Sequence, residues 1–140
     1  MAIVAGTCAS LRLFGDDLDP DDISRQLRAV PSDAQRKGEL IGPRRNTVAR
    51  TGGWKLSTER EQGDQLDRQV SALLAATTAD QNVWDHLTRR FSADVFCGVW
   101  LDEPGEGLDL EPATLAELGR RGLRLELDIY YPEEAHPVTK

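Results

Sequence analysis

Few residues in this chain have the types and spacing that chemistry needs. The thiols are Cys8 and Cys97, and the imidazoles are His86 and His136. A nucleophilic cysteine needs a lowered pKa and a base within hydrogen-bond reach. Neither cysteine stands in a nucleophile signature, and His86 is the only plausible base. Both thiols fall inside predicted strands, where a free cysteine packs as a small apolar group. Two cysteines and two histidines do not make a structural zinc set, so no metal site and no cofactor is expected. His86 lies on a predicted helix beside Trp84 and Leu87 and reads as a surface histidine. There is no GxSxG elbow, no GxxxxGK[ST] loop and no dinucleotide fingerprint. The adjacent carboxylates Asp16/Asp17 and Asp102/Glu103 carry no information about acid–base work in so acidic a chain. No catalytic residue is assigned.

The charges say more about partners. The chain of 140 residues holds 24 acidic and 17 basic side chains, for a net charge of −7. Residues 1–65 are balanced, and the whole excess falls in 66–140. Between Arg90 and Arg120 stand seven acids and no base. Such a surface repels phosphate backbones, which argues against nucleic acid as a partner. It would steer a basic protein partner instead, with Asp102, Glu103, Glu106, Asp109 and Glu111 as the expected contact residues. Acidity also serves solubility alone. No apolar run approaches the ~18–20 residues of a membrane span. The first residues carry no basic region like that of a secretion signal, so the expected location is the cytoplasm.

These residues must be positioned by a small set of elements. Around Cys8–Phe14 the sequence alternates, with Ala9, Leu11 and Leu13 on one face and Cys8, Ser10 and Arg12 on the other, as in a strand. Asp19 is placed to cap a helix that starts at Pro20 and carries Ile23, Leu27 and Val30. The five acids of 16–22 lack the alternating acids and closing glutamate of a calcium loop, so capping is the stronger reading. Residues 31–50 form a polar connection with Arg36, Lys37, Arg44, Arg45 and Arg50, and 38–42 could be a short strand. Gly52 and Gly53 permit close backbone approach, and Trp54, Leu56 and Thr58 then alternate as in a strand. Leu66, Val70, Leu73, Leu74 and Thr77 mark a helix face. Thr78–Gln81 reads as a capping box before a second helix with Val83, Trp84, Leu87 and Phe91 inward. The apolar run 95–101 predicts a central strand. A helix from Pro112 carries Leu115 and Leu118 and ends at Gly122. Leu123, Leu125, Leu127, Ile129 and Tyr131 form the buried side of a last strand.

The intermixed order predicts one α+β domain over 1–140, with its core in about 8–131 and a polar tail at 132–140. The expected layout is a ferredoxin-like split βαβ sheet of about five strands, helices on one face, and an extra C-terminal α-β unit. The strands around Leu11 and Phe96 would then be neighbours, with Cys8 and Cys97 near each other.

Several stretches together resemble the bacterial DUF4279 family: Ser10–Pro20 (SLRLFGDDLDP), Gly53–Ser57 (GWKLS), Leu66-Asp67, and Leu127–Tyr130 (LDIY). The resemblance runs from about Cys8 to Tyr131. It implies a single bacterial α+β domain and brings no catalytic residues with it.

Two functional expectations follow. The first is a non-catalytic interaction domain, of immunity or antitoxin type or another accessory kind, offering its acidic surface to a basic protein. The second is a small-ligand-binding or cryptic enzymatic domain whose pocket is lined by Arg50, Trp54, Trp100 and Tyr130. Either could act as a monomer or a homodimer.

Overall fold

The computed structural model describes residues 4–103 and 107–131. Strand β1 (Val4–Gly15) is the longest and runs through the middle of the main sheet. Ala9, Leu11 and Leu13 are fully buried, while Cys8, Ser10 and Arg12 keep partial exposure. The alternation in sequence therefore translates into two unlike faces. Helix α1 (Pro20–Leu27) begins as expected, with Asp19 accepting a hydrogen bond from the Asp21 backbone N–H at 3.1 Å. It stops sooner than expected. Arg28 takes a left-handed conformation (φ 59°), and Val30 is left 83% exposed.

The remaining strands are β2 (Asp33–Gln35), β3 (Leu40–Ile41), β4 (Thr47–Val48), β5 (Gly52–Ser57), β6 (Glu61–Gln62), β7 (Ser92–Leu101) and β8 (Arg124–Tyr130). The main sheet has the order β2-β5-β1-β7-β8, with β6 also paired to β1, and β3-β4 form a separate hairpin. The α+β class holds, but the split βαβ arrangement does not describe the pairing. β1 runs antiparallel to β5 and to β7, and the parallel strands β7 and β8 pair directly with no strand between them. The sheet also has six strands rather than about five, because β2 and β6 span only three and two residues. Segments that short carry no readable alternation.

Helices α2 (Leu66–Ala75), α3 (Gln81–Arg90) and α4 (Pro112–Arg121) join α1 on one face of the sheet. Ile23, Leu27, Leu66, Val70, Trp84, Leu87 and Leu118 pack there against Leu11, Leu13, Trp54, Val95, Cys97 and Val99 in one hydrophobic cluster. Burying each large aliphatic side chain stabilises the fold by about 1.5–3 kcal/mol. A buried polar pair lies within this layer. Thr7 donates to Gln69 Oε1 at 2.8 Å, and the Gln69 amide donates to the Thr7 and Glu59 carbonyls at 2.9 and 3.2 Å. This satisfied set ties α2 to β1 and to the approach to β6.

Three expectations about helix and strand burial need correction. Asp80, not Thr78, caps α3, accepting from the Asn82 N–H at 2.9 Å. Leu115 is 49% exposed on α4. On β8, Leu127 and Ile129 are 41% and 57% exposed, because β8 is the outer strand and the helix layer does not reach over its far end. Gly122 does end α4 in the left-handed region (φ 76°). Among the described residues, no helix is long and apolar enough to cross a membrane.

The acids that follow β1 are matched by the basic connection after α1. Arg36 bridges Asp19 (2.7 Å) and Asp21 (3.0 Å), Lys37 meets Asp16 (3.2 Å), and Arg90 meets Asp17 (3.4 Å). The pairing accounts for Asp16, Asp17, Asp19 and Asp21 without a bound ion. The hydrogen bond from Lys37 lowers the Asp16 pKa. At Asp19, burial pushes the pKa up, but bonds from the Asp21 N–H and Arg36 outweigh it and the net shift is downward. A depressed folded-state pKa adds stability that is present above the unfolded value and lost as pH falls. Urea unfolding at low salt should therefore show a lower midpoint at pH 3 than at pH 7, and added salt should narrow the gap. Equal midpoints would contradict these pairings.

Candidate functional site on the uncovered sheet face

Among the described residues, the four helices lie on one side of the sheet and no helix covers the opposite face. On it stand Cys8, Ser10, Arg12 and Phe14 of β1, Lys55 and Ser57 of β5, Asp94, Phe96 and Trp100 of β7, and Glu126, Asp128 and Tyr130 of β8, with Gly98 opposite Cys8. The face divides into two halves.

In the first half, Arg12 is fully committed. Its guanidinium makes a forked pair with Asp94 (2.9 and 2.8 Å) and lies over the rings of Phe96 (4.4 Å) and Phe14 (5.3 Å). The Asp94 hydrogen bond raises the Arg12 pKa against the opposing effect of burial. Asp94 is itself buried at 6% exposure, so the first acid of the acidic run is a structural partner and not part of a binding surface.

The second half is different. Trp100 stacks on Tyr130 with ring centroids 5.1 Å apart and planes 20° from parallel. From the other side Arg60, just before β6, brings its guanidinium to 3.9 Å from the indole centroid. The backbone makes room for this arrangement. A Cβ on Gly98 would meet the Trp100 ring at 2.8 Å and the Cys8 sulfur at 3.2 Å, and one on Gly6 would meet Arg60 Nε at 3.0 Å. Tyr130 donates its hydroxyl to Asp128, and this bond, followed by burial, raises the phenol pKa. Ala5, Arg60, Trp100, Leu101, Asp102, Tyr130 and Tyr131 together line a pocket of about 350 Å³ where β7 and β8 end. Replacing Gly98 with alanine should push the indole off Tyr130, which near-UV circular dichroism would register as a weakened aromatic signal with the far-UV spectrum retained. An unchanged near-UV spectrum would contradict the contact.

The pocket residues expected from sequence separate into two groups. Trp100 and Tyr130 meet in one site. Trp54 does not join them, because its side chain is fully buried on the helix side and its indole N–H donates to Ser24 Oγ at 3.0 Å. Arg50 is exposed between β4 and β5 and does not line this pocket. Of the acidic set, Asp102 lines the pocket and Glu103 follows it, exposed. Asp109 and Glu111 lead into α4, where the Glu111 backbone N–H donates to Asp67 of α2 at 2.9 Å. Glu106 and the tail from 132 lie outside the described residues. Sequence reasoning missed Arg60 and Asp128. Asp128 shares a strand face with Tyr130 by simple alternation, but Arg60 is forty positions from Trp100 and only folding brings them together.

The cysteines occupy neighbouring positions on opposite faces. Cys8 is opposite Gly98 and Ala9 is opposite Cys97, so Cys97 points into the core and Cys8 onto the open face. Both are free thiols. Burial, and secondarily the nearby Cys8, push the Cys97 pKa up to about 12, which keeps it a protonated and unreactive thiol at neutral pH. A thiol reagent should modify Cys8 in the native protein and Cys97 only after unfolding. Equal rates at both would contradict this placement.

Fold and site together define an α+β domain with helices on one face of a mixed sheet and an aromatic corner on the other. The chain belongs to the family described as Domain of unknown function (DUF4279), which it matches over residues 5–132. No curated protein matches it, and no solved structure does.

Proposed function

We propose that this chain is a non-catalytic binding domain that takes an arginine-bearing segment of a basic protein partner at the Trp100–Tyr130 corner of its uncovered sheet face. The observation that carries this reading is internal. The corner already holds a guanidinium, that of Arg60, at 3.9 Å from the Trp100 ring, beside Asp102 and the Asp128–Tyr130 pair. An aromatic face next to carboxylates attracts a cation through both the ring quadrupole and Coulomb attraction. A partner's arginine would extend this arrangement over Tyr130, which is 43% exposed. An immunity-type or accessory role fits such a surface.

A second reading, a small-ligand or cryptic enzymatic site, draws support from the pocket volume of about 350 Å³, which lies within the range of small-molecule sites. The two readings separate in one pair of measurements. Binding of an arginine-rich peptide followed by fluorescence polarisation should saturate, weaken with added salt, and weaken further in Trp100→Ala and Asp102→Asn. A flat peptide titration together with stabilisation by a metabolite in a thermal-shift screen would replace the first reading with the second. A ligand at 100 times its Kd adds about 2.7 kcal/mol of stability and is readily seen.

A further inference from the structure

On the far side of the molecule, α2 and α4 leave a cavity of about 210 Å³ lined by Ser71, Leu74 and Ala75 from one helix and Ala113, Thr114, Glu117 and Arg121 from the other. Arg121 is only 3% exposed, which is unusual for a residue that almost never enters an interior unpaired. Its guanidinium lies 5.6 Å from the centroid of the Trp84 ring, and Nη1 bonds the Glu117 carbonyl at 3.2 Å and the Glu117 carboxylate. Its Nε is buried and has no hydrogen-bond partner. An unmet buried donor on a cation is costly, and its presence beside a cavity calls for an acceptor.

The charges there do not cancel. Glu117 is shared between two arginines, pairing with Arg120 as well as Arg121, so the group of three carries a net positive charge. Glu117 is 43% exposed and keeps its Arg120 contact if it gives up Arg121. The rest of the lining is apolar at Leu74, Ala75 and Ala113, with the hydroxyl-bearing Ser71 and Thr114 among them.

We propose that this cavity binds a small aliphatic carboxylate, whose oxyanion takes over the Arg121 guanidinium from Glu117 while its hydrocarbon body fills the space against Leu74, Ala75 and Ala113. Guanidinium matches carboxylate in a two-pronged geometry, which supplies the orientation. One surplus positive charge suits a monoanion better than a phosphate dianion. The volume admits only a short chain. This site is independent of the aromatic corner on the opposite sheet face.

The test is a titration of the full chain with sodium butyrate at constant ionic strength, followed by two-dimensional NMR of backbone and arginine Nε–H groups. The expected result is a saturable shift confined to residues around 71–75 and 113–121, including the Arg121 Nε–H. Inorganic phosphate at the same concentration should produce a smaller effect. Ala75→Leu, at an exposed helix position, fills the cavity and should weaken binding at least about 10-fold, as should Arg121→Met. Should Arg121→Met fail to fold, Ala75→Leu decides alone. Shifts that stay linear in butyrate, that spread over the whole surface, or that persist undiminished in Ala75→Leu would overturn the proposal.

Discussion

Replacing Trp54 with alanine should remove about 3–5 kcal/mol of stability, among the largest losses expected from truncating a described residue. The side chain is fully buried on β5, directly opposite Leu13 of β1, and its indole N–H is satisfied by Ser24 of α1. Truncation would open a cavity where the sheet meets α1 and leave the Ser24 hydroxyl without its donor. Against a typical domain stability of about 5–15 kcal/mol, the loss would leave much of the population unfolded on mild heating. Trp100→Ala is the informative comparison. Its ring is only partly buried and packs on Tyr130 and Arg60 at the surface, so its removal should cost markedly less. Urea unfolding of both variants tests the assignment of one tryptophan to the core and the other to the site. Similar losses in the two would contradict it.

The second large effect is expected at the pair Arg12–Asp94. Their side chains are 21% and 8% exposed, and the guanidinium lies over the Phe14 and Phe96 rings. Removing only the cation, as in Arg12→Met, strands a carboxylate that is almost wholly buried, which typically costs about 3–5 kcal/mol; the partial exposure of Arg12 places this pair at the lower end. Removing both charges, as in Arg12→Met with Asp94→Leu, should recover most of that loss. The recovery matters more than the loss, since it separates a stranded charge from lost packing. A double variant no more stable than the single would show that the pair contributes through packing alone.

Both residues of that pair were visible in the sequence, but only as members of other patterns. Arg12 belonged to the outward side of an alternating strand, and Asp94 to an acidic run. Local signals located two helix ends and missed a third. Asp19 and Pro20 start α1 and Gly122 ends α4, because capping depends on residues within one turn, whereas the Thr78–Gln81 box misplaced the α3 cap, which is Asp80. The two-faced character of β1 followed from period-two spacing alone. Signals failed where burial depends on what packs above. Leu127 and Ile129 have the right spacing to be core, but β8 is the outer strand and they are exposed. Val30 has helical spacing from Leu27, but the chain turns left-handed at Arg28 and leaves it in solvent. The site was half legible. Trp100 and Tyr130 stood out as aromatics near strand ends, whereas Arg60 and Arg121 take their meaning from partners tens of residues away or on another helix.

The proposed binding surface is the Trp100–Tyr130 end of the sheet face opposite the helices. Chemical-shift mapping with an arginine-rich peptide tests it most directly, because the two faces of the sheet report separately. Perturbations are expected at Gly6, Arg60, Trp100, Asp102, Asp128 and Tyr130, with the Trp54 and Trp84 indole signals unmoved. Perturbations concentrated on the helix layer around Asp67, Asp109 and Glu111, with the Trp100 indole unchanged, would contradict it.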